Sequence, residues 1–159
     1  MLAIIERVGV LALASLVGWL AVALIRRYAA RRRGAVLAAT QPADALAGLL
    51  PSHDVGKPVR ILAFSSASCS PCHTLQAPAL ERVRAACGAQ VAVVTIDAPS
   101  SPELTSRYAV LTVPTTVVLD ATGRARAVNY GFANERKLLA QVDAALAAAA
   151  SAESVAAAL

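Results

Sequence analysis

The stretch that decides the fold runs from Val59 to Ile96 and reads VRILAFSSASCSPCHTLQAPALERVRAACGAQVAVVTI. It begins and ends with mostly apolar runs of strand length, Val59–Phe64 and Val91–Ile96. The segment between them is long enough to cross over a sheet as a helix. Two strands joined in this way lie parallel, and the crossover is right-handed. The sequence therefore predicts a βαβ unit at the centre of an α/β domain.

The crossover segment has the pattern of a helix from Cys69 to about Ala86. Apolar residues recur at helical spacing at Leu75, Ala79 and Val83, which predicts that these side chains face the core. Pro78 predicts a kink, because proline lacks the backbone N–H of the helical ladder.

Elements on either side of this unit complete the predicted domain. A short helical stretch precedes it, between Pro42 and Leu50. A short helix, a β-hairpin and a final helix follow it. Their predicted positions are a helix capped by Ser101 that ends at Tyr108, strands at Pro114–Leu119 and Arg124–Tyr130, and a helix from the cap Asn134 to Ala148. The result is a βαβ unit followed by a ββα unit around a central mixed sheet.

The N-terminal part of the chain contains an uncharged run of eighteen residues, Val8–Ile25. At about 1.5 Å per residue, a helix of this length spans the hydrocarbon core of a bilayer. Five arginines follow within eight positions, and without them the ten remaining basic residues balance the ten acidic ones. These arginines are Arg26, Arg27, Arg31, Arg32 and Arg33. We expect one transmembrane helix, with the arginines resting on anionic lipid headgroups.

The predicted organisation has five parts. They are a short tail at 1–7, a transmembrane helix at 8–25, a basic linker at 26–41, the α/β domain at 42–150 and an Ala-rich tail at 151–159 that frays after Ala150. Because arginines beside an apolar helix are retained on the cytoplasmic side, their position favours a single-pass membrane protein with a cytoplasmic domain. The alternative is a domain on the extracytoplasmic face.

Composition excludes two other classes of protein. The excess basic charge is local, and aromatic residues make up 4% of the chain, so the sequence lacks the features of a nucleic-acid-binding surface. Three cysteines are too few for the disulfide framework of a small secreted domain. One reactive pair and one further cysteine, Cys87, fit the count better.

The reactive pair is Cys69 and Cys72, at the start of the predicted crossover helix. Residues one helical turn apart bring their Cα atoms within the ~5.5 Å that a disulfide needs. Cys69 is expected to face solvent at the helix N-terminus, where free N–H groups and the helix dipole stabilise a thiolate, so it is the expected nucleophile. Cys72, better shielded, is expected to resolve the mixed disulfide. His73 is either a modulator, through positive charge at lower pH, or a solvated residue without a role.

The succession of strand, Cys-Ser-Pro-Cys turn, helix and strand resembles the thioredoxin family, from about Val59 to Leu146. A second motif, Thr112–Thr115, is similar to the cis-proline loop of that family. The resemblance implies that this loop lies opposite the cysteines, that Pro114 is a cis proline that keeps metal from the sulfurs, and that the backbone of Val113 pairs with an extended substrate. The predicted substrate-contacting residues are Val113, Pro114, Ser70 and Pro71.

The chain departs from the family pattern around the cysteines. General cytosolic reductants of the family usually have Trp before the first cysteine and Gly after it, where this chain has Ser68 and Ser70. They also have a buried Asp and a Lys on neighbouring strands, where this chain has Ala63 and Val93. The carboxylate assists proton removal from the second cysteine, so its loss predicts slower resolution unless water or His73 takes its place. These departures favour an alternative function, a membrane-tethered thioredoxin-like scaffold with little turnover.

The resemblance implies a thiol-disulfide oxidoreductase that acts on protein disulfides, in the first place as a reductant, without a bound cofactor or metal. The predicted transmembrane helix would anchor it to a membrane. Its thiol electron donor is expected to be thioredoxin reductase or another thiol carrier if the domain is cytoplasmic. A membrane thiol-electron transporter is expected if the domain lies outside. The direction of exchange depends on the reduction potential of the cysteine pair.

Two metal-based interpretations of the same motif are weaker. The run Cys69–His73 satisfies the pattern for covalent haem c attachment, but Met1 is the one methionine of the chain, so His53 would have to supply the sixth ligand. A zinc site built from this run and Cys87 lacks a second paired-ligand motif.

Overall fold

The computed structural model describes residues 15–28, 31, 34 and 56–156. The chain divides into two units, residues 1–35 and 36–159. In the first unit, residues 15–28 are helical and nearly all of their side chains are exposed. Within the described residues, no helix is both long enough and apolar enough to cross a membrane. Residues 8–14 of the predicted span, and the helix predicted between Pro42 and Leu50, lie outside the described residues.

Four strands of the second unit form a mixed sheet. They are β1 Val59–Ser65, β2 Val91–Asp97, β3 Thr115–Leu119 and β4 Ala125–Tyr130, in the spatial order β2-β1-β3-β4. β1 and β2 are parallel, with Val59 opposite Val91, which confirms the predicted parallel strand pair. β3 runs antiparallel to both β1 and β4, which confirms the predicted hairpin and the mixed sheet.

The helical elements described in this unit begin within the cysteine motif, where Ser70 and Pro71 are helical and a π-helical turn starts at Cys72. The elements that follow are the π-helical turn Cys72–Gln76, α1 Ala77–Cys87, a short 3-10 helix Gly88–Gln90, α2 Pro102–Arg107 and α3 Glu135–Ala156. Ser101 precedes α2 as predicted, but its side chain makes no capping hydrogen bond. Its carbonyl oxygen instead accepts the N–H of Thr105 at 3.0 Å, so the backbone alone begins this helix.

The last helix is longer than the sequence predicted. The Oδ1 of Asn134 accepts the N–H of Lys137 at 2.9 Å, which confirms the predicted cap. The helix continues to Ala156, so the prediction that it frays after Ala150 is wrong. Alanine and glutamate are strong helix formers, and the scattered serines lower the helix propensity of the segment only slightly.

The crossover helix also differs from its prediction. It does not run as one α-helix from Cys69, because the N–H of Ala77 donates to the carbonyl oxygen of Cys72, five residues back. Pro78 follows directly and has no N–H to donate, so an α-helical ladder would already be interrupted at this point. A wider turn of this kind is typical of functional sites within helices.

The π-helical turn changes which side chains face the core. Leu75 is 49% exposed, so the prediction that it lies on the buried face is wrong. Gln76 takes the buried position instead, because the additional residue in the turn rotates the preceding side chains around the helix axis. Ala79 and Val83, which follow the turn, are buried as predicted.

The core lies on both faces of β1, which explains the continuous apolar sequence of this strand. On one face, Leu62 and Phe64 pack with the fully buried side chain of Tyr108. On the other face, Ile61 and Ala63 pack among residues of α1 and α3. Because β1 is held from both sides, the cysteine turn that follows its C-terminal end has a fixed starting point.

One carboxylate holds the turn between β3 and β4. Asp120 is 2% exposed, and its Oδ1 accepts the backbone N–H groups of Thr122 at 2.9 Å and Arg124 at 3.0 Å. Its Oδ2 accepts the Nε of Arg126 at 2.7 Å. Burial opposes ionisation of this carboxyl group, but the hydrogen bonds from its three partners outweigh burial and hold the pKa of Asp120 below its ordinary value of 3.8.

We expect Asp120→Ala to lower the free energy of unfolding by about 2–4 kcal/mol at neutral pH, because it leaves donors near the turn unpaired. A carboxylate whose pKa is lowered by folding contributes stability above its unfolded pKa, and this contribution is lost as the pH falls through the folded pKa. The difference between wild type and variant should therefore shrink below about pH 4. Urea unfolding at a series of pH values measures it. An undiminished difference in acid would contradict this account of Asp120.

Candidate active site

The cysteine turn begins where β1 ends. Cys69 and Cys72 are joined by a disulfide, with their Cα atoms 5.3 Å apart, which confirms the predicted proximity of the pair. The N–H of Cys69 donates to the carbonyl oxygen of Ser66 at 3.1 Å, and the N–H of Cys72 donates to that of Cys69 at 3.1 Å. Backbone hydrogen bonds therefore hold the turn independently of the disulfide.

The two sulfurs have different surroundings. Cys69 is 9% exposed and Cys72 is 4% exposed, so Cys72 is the better shielded residue, as predicted. The expectation that Cys69 openly faces solvent is wrong, because only 9% of this residue is exposed. The N–H of Cys72 donates to the Sγ of Cys69 at 3.2 Å. A hydrogen-bond donor favours the charged form of sulfur, so this contact stabilises a thiolate on Cys69 after reduction.

The second motif forms the loop before β3. The peptide bond between Val113 and Pro114 is cis, as the resemblance implied. Pro114 is buried and Val113 is half-buried. The hydroxyl group of Thr115 donates to the carbonyl oxygen of Thr112 at 2.6 Å and closes the loop.

Both motifs meet at one cavity of about 120 Å³, which Cys72 and Pro114 line together. Ala63 and Val93, where the family pattern has Asp and Lys, line the same cavity. The cavity is therefore apolar at positions 63 and 93, which lie on β1 and β2. Two titratable side chains besides Cys72 line this cavity, namely His73 and Glu81.

The remaining predicted site residues lie on the surface of the cysteine turn. Ser70 and Pro71 are exposed between the two cysteines, where a polypeptide substrate has access to them. His73 is also exposed, and its Nε2 lies 3.2 Å from the carbonyl oxygen of Ser66, to which it donates when protonated. This contact holds His73 against the loop before Cys69. The role of His73 as a modulator stays a prediction.

The third cysteine is separate from this turn. Cys87 is half-buried at the end of α1, and burial together with the carboxylate of Asp143 raises the pKa of the Cys87 thiol. Over residues 15–28 and 56–156, no three His, Cys, Asp or Glu side chains cluster closely enough to hold a metal ion, so the zinc alternative gains no support. Haem c attachment would need both disulfide-bonded sulfurs as thioethers, and His53 lies outside the described residues.

Sequence reasoning missed one residue of this site, Gln76. Its side chain is 2% exposed and lines the cavity beside Cys72. The signal in the sequence was the position of Gln76, three residues before Ala79 and four residues before Leu80. Both of these apolar residues are buried, and residues at this spacing share one face of a helix. A polar residue at such a spacing is buried only when its side chain finds hydrogen-bond partners.

Comparison with known proteins agrees with this geometry. The family model for thioredoxin matches residues 53–144, which is more than half of the chain and includes both motifs. No curated protein gives a match. Among solved structures, chloroplastic thioredoxin z is 28% identical with a TM-score of 0.52, over 67% of this chain and 92% of its own. Thioredoxin-2, described as a component of malaria parasite protein secretion machinery, is 20% identical with a TM-score of 0.50, over 54% of this chain and 82% of its own. On the family model, the chain belongs to the thioredoxin family.

Proposed function

We propose that the protein is a thiol-disulfide oxidoreductase that reduces disulfides in protein substrates through the motif Cys69-Ser70-Pro71-Cys72. The observation that carries this proposal is the Cys69–Cys72 disulfide beside the cis proline Pro114, with Cys72 and Pro114 on one cavity. The two sulfurs form and break one bond within a single turn. The pair is therefore suited to exchange two electrons with a second disulfide.

The proposed reaction has two exchange steps. The thiolate of Cys69 attacks a substrate disulfide, which forms a mixed disulfide and releases one substrate thiolate. Cys72 loses its proton and attacks the Sγ of Cys69, which forms the Cys69–Cys72 disulfide and releases the second substrate thiolate. Each released thiolate takes up a proton from water. The substrate gains two electrons, the cysteine pair loses two, and a dithiol donor restores the reduced pair.

The loop before β3 is proposed to hold the substrate backbone. Val113 lies directly before the cis bond and also lines a groove of about 300 Å³ with Leu111 and Ser66. An extended substrate segment that pairs with the backbone of Val113 would run past the exposed Ser70 and Pro71. This arrangement would bring a disulfide of the substrate to Cys69.

Catalysed reduction of insulin tests the proposal. With dithiothreitol as the dithiol donor, the wild-type protein should accelerate insulin precipitation, and Cys69→Ser should return the rate to that of dithiothreitol alone. Cys87→Ser is the matched control, since this cysteine lies outside the turn, and it should keep the wild-type rate. A wild-type rate no higher than the donor alone would refute the proposed function.

The same assay distinguishes the proposed oxidoreductase from a second candidate function, a thioredoxin-like scaffold with little turnover. The apolar surface of Ala63 and Val93 in the cavity favours this candidate, because it leaves no carboxylate at those positions to take the proton of Cys72. A scaffold would bind partner proteins without accelerating insulin reduction. A catalyst would turn over, with the resolving step as its slow step.

Membrane attachment is part of our proposal and rests on the sequence of residues 8–25 and the arginines that follow them. Moving five arginines across an inside-negative membrane would cost about 2.3 kcal/mol per charge for each 100 mV, so we propose a cytoplasmic domain. The donor would then be thioredoxin reductase or another cytoplasmic thiol carrier.

A cysteine placed at Ser154, with Cys69, Cys72 and Cys87 all changed to serine, reports on this topology. In intact cells, a membrane-impermeant maleimide should label this variant only after lysis. Prompt labelling of intact cells would place the domain outside and would favour a membrane thiol-electron transporter as the donor.

A further inference from the structure

Gln76 is the one polar side chain of the π-helical turn that is buried, and both ends of its amide group are paired. Its Nε2 donates to the carbonyl oxygen of Ala133 at 3.1 Å, and its Oε1 accepts the N–H of Ala133 at 2.9 Å. The side chain therefore forms two hydrogen bonds with one backbone residue that is 57 positions away. This pattern joins the turn after Cys72 to the loop between β4 and α3.

The loop that Gln76 holds is itself bonded to the cis-proline loop. The N–H of Gly131 donates to the carbonyl oxygen of Pro114 at 2.9 Å. Gly131 has a φ of +81°, a conformation that glycine adopts without strain. A path of hydrogen bonds and one short piece of backbone, residues 131–133, thus leads from Gln76 to Pro114.

The π-helical turn is what directs Gln76 into this path. With the N–H of Ala77 bonded to the carbonyl oxygen of Cys72, Leu75 turns outward and Gln76 turns inward. Cys72 and Gln76 are the first and last residues of this turn. The Cys69–Cys72 turn and the Val113–Pro114 loop are therefore fixed to opposite ends of one buried network.

We infer that Gln76 is a positioning residue, which sets the separation between the cysteine pair and the loop that holds the substrate backbone. This inference rests on the proposed function, because the separation matters only if a substrate lies on Val113 while its disulfide meets Cys69. Attack on a disulfide needs close approach and alignment of the reacting sulfurs. A displacement of about 1 Å is enough to slow such a step by as much as about 10²-fold.

Two kinds of substrate separate positioning from general stability. A protein disulfide must contact both the loop and Cys69, whereas a small aromatic disulfide needs access to Cys69 alone. We expect Gln76→Met, which keeps length and removes both hydrogen bonds, to lower kcat/KM for insulin by about tenfold or more. The rate of the reduced protein with the small aromatic disulfide should stay within about twofold of wild type.

Gln141→Met is the matched control. Gln141 also exchanges two amide hydrogen bonds, with Asn129 at 2.8 and 3.0 Å, and neither residue lines the cavity that Cys72 and Pro114 share. This variant loses hydrogen bonds of the same kind and should keep the wild-type rates with both disulfides. Gln76→Asn, which keeps the neutral amide but is too short to form both hydrogen bonds with Ala133, serves as a second variant if Gln76→Met does not fold. Its loss of rate should again be confined to insulin.

Three outcomes would overturn the inference. Unchanged insulin kinetics in folded Gln76→Met would show that the network does not position the loop. Equal losses with insulin and with the small disulfide, or an equal loss in Gln141→Met, would assign Gln76 a structural role. If the wild-type protein reacted with the small disulfide but did not reduce insulin, the proposed function itself would be wrong. This result distinguishes a failure of the proposed function from a failure of the inference about Gln76.

Discussion

A Cys72→Ser variant is expected to become covalently bound to disulfide-containing proteins through Cys69. The nucleophile survives in this variant, but no second thiolate is available to attack its mixed disulfide. The contact between the Cys72 backbone N–H and the Sγ of Cys69 does not depend on the Cys72 side chain, so the serine variant retains it. Adducts should therefore accumulate on non-reducing gels and disappear when dithiothreitol is added.

Cys69→Ser is the control for this capture experiment. It leaves Cys72, which is only 4% exposed, as the single thiol of the turn, and it should form no adducts. Its turnover should fall by roughly 10³-fold or more, as expected when a covalent nucleophile is removed. Capture by Cys69→Ser alone would reverse the roles of nucleophile and resolving cysteine. Equal capture by the two serine variants would contradict both assignments.

The second large effect is expected from restoring the charged pair of the family at Ala63 and Val93. In the parallel register, Ile61 lies opposite Val93 and Ala63 lies opposite Thr95, so positions 63 and 93 are on the same face of adjacent strands. Both line the cavity that Cys72 lines. An Asp at position 63 would therefore lie on the same cavity as the thiol that must lose its proton during resolution.

Each single substitution should destabilise the fold. Ala63 is 4% exposed, so Ala63→Asp alone buries an unpaired carboxylate, with an expected loss of about 3–5 kcal/mol. Val93→Lys alone brings an unpaired ammonium group to the same cavity and should also destabilise, but by less, because Val93 is only half-buried. The double variant should recover most of the lost stability, because the two charges then pair.

Resolution kinetics complete this test. A mixed disulfide between Cys69 and a chromogenic thiol releases that thiol when Cys72 attacks, and stopped-flow absorbance measures the rate. The Ala63→Asp, Val93→Lys double variant should release the thiol about tenfold or more faster than wild type near neutral pH. A folded double variant with the wild-type rate would show that a carboxylate at this position does not assist Cys72.

The elements that the sequence predicted well are those whose side-chain pattern is compatible with only one type of local structure. An apolar run that is buried on both faces defines β1, and a second apolar run of strand length defines the edge strand β2. The Asp120–Gly123 turn between apolar segments defines the hairpin. The cap at Asn134 follows from the chemistry of its side chain. In each of these cases local preference and tertiary packing agree.

The elements that were missed depend on contacts that sequence spacing does not reveal. Periodicity at 3.6 residues placed Leu75 in the core, but one additional residue in the turn before Pro78 gave that position to Gln76. Gln76 accepts burial because a backbone residue of a distant loop, Ala133, satisfies its amide group. The low exposure of Cys69 was likewise not predicted by its place at a helix start.

The most direct test of the central claim is a single turnover followed by mass spectrometry. Fully reduced protein, with Cys87 changed to serine, is mixed with one equivalent of oxidised insulin, quenched with acid and digested. The account predicts that the protein loses the mass of two hydrogen atoms, that the loss maps to a peptide with Cys69 bonded to Cys72, and that insulin gains two thiols for each protein oxidised. An unchanged protein mass while insulin remains oxidised would contradict the claim that this pair exchanges disulfides with protein substrates.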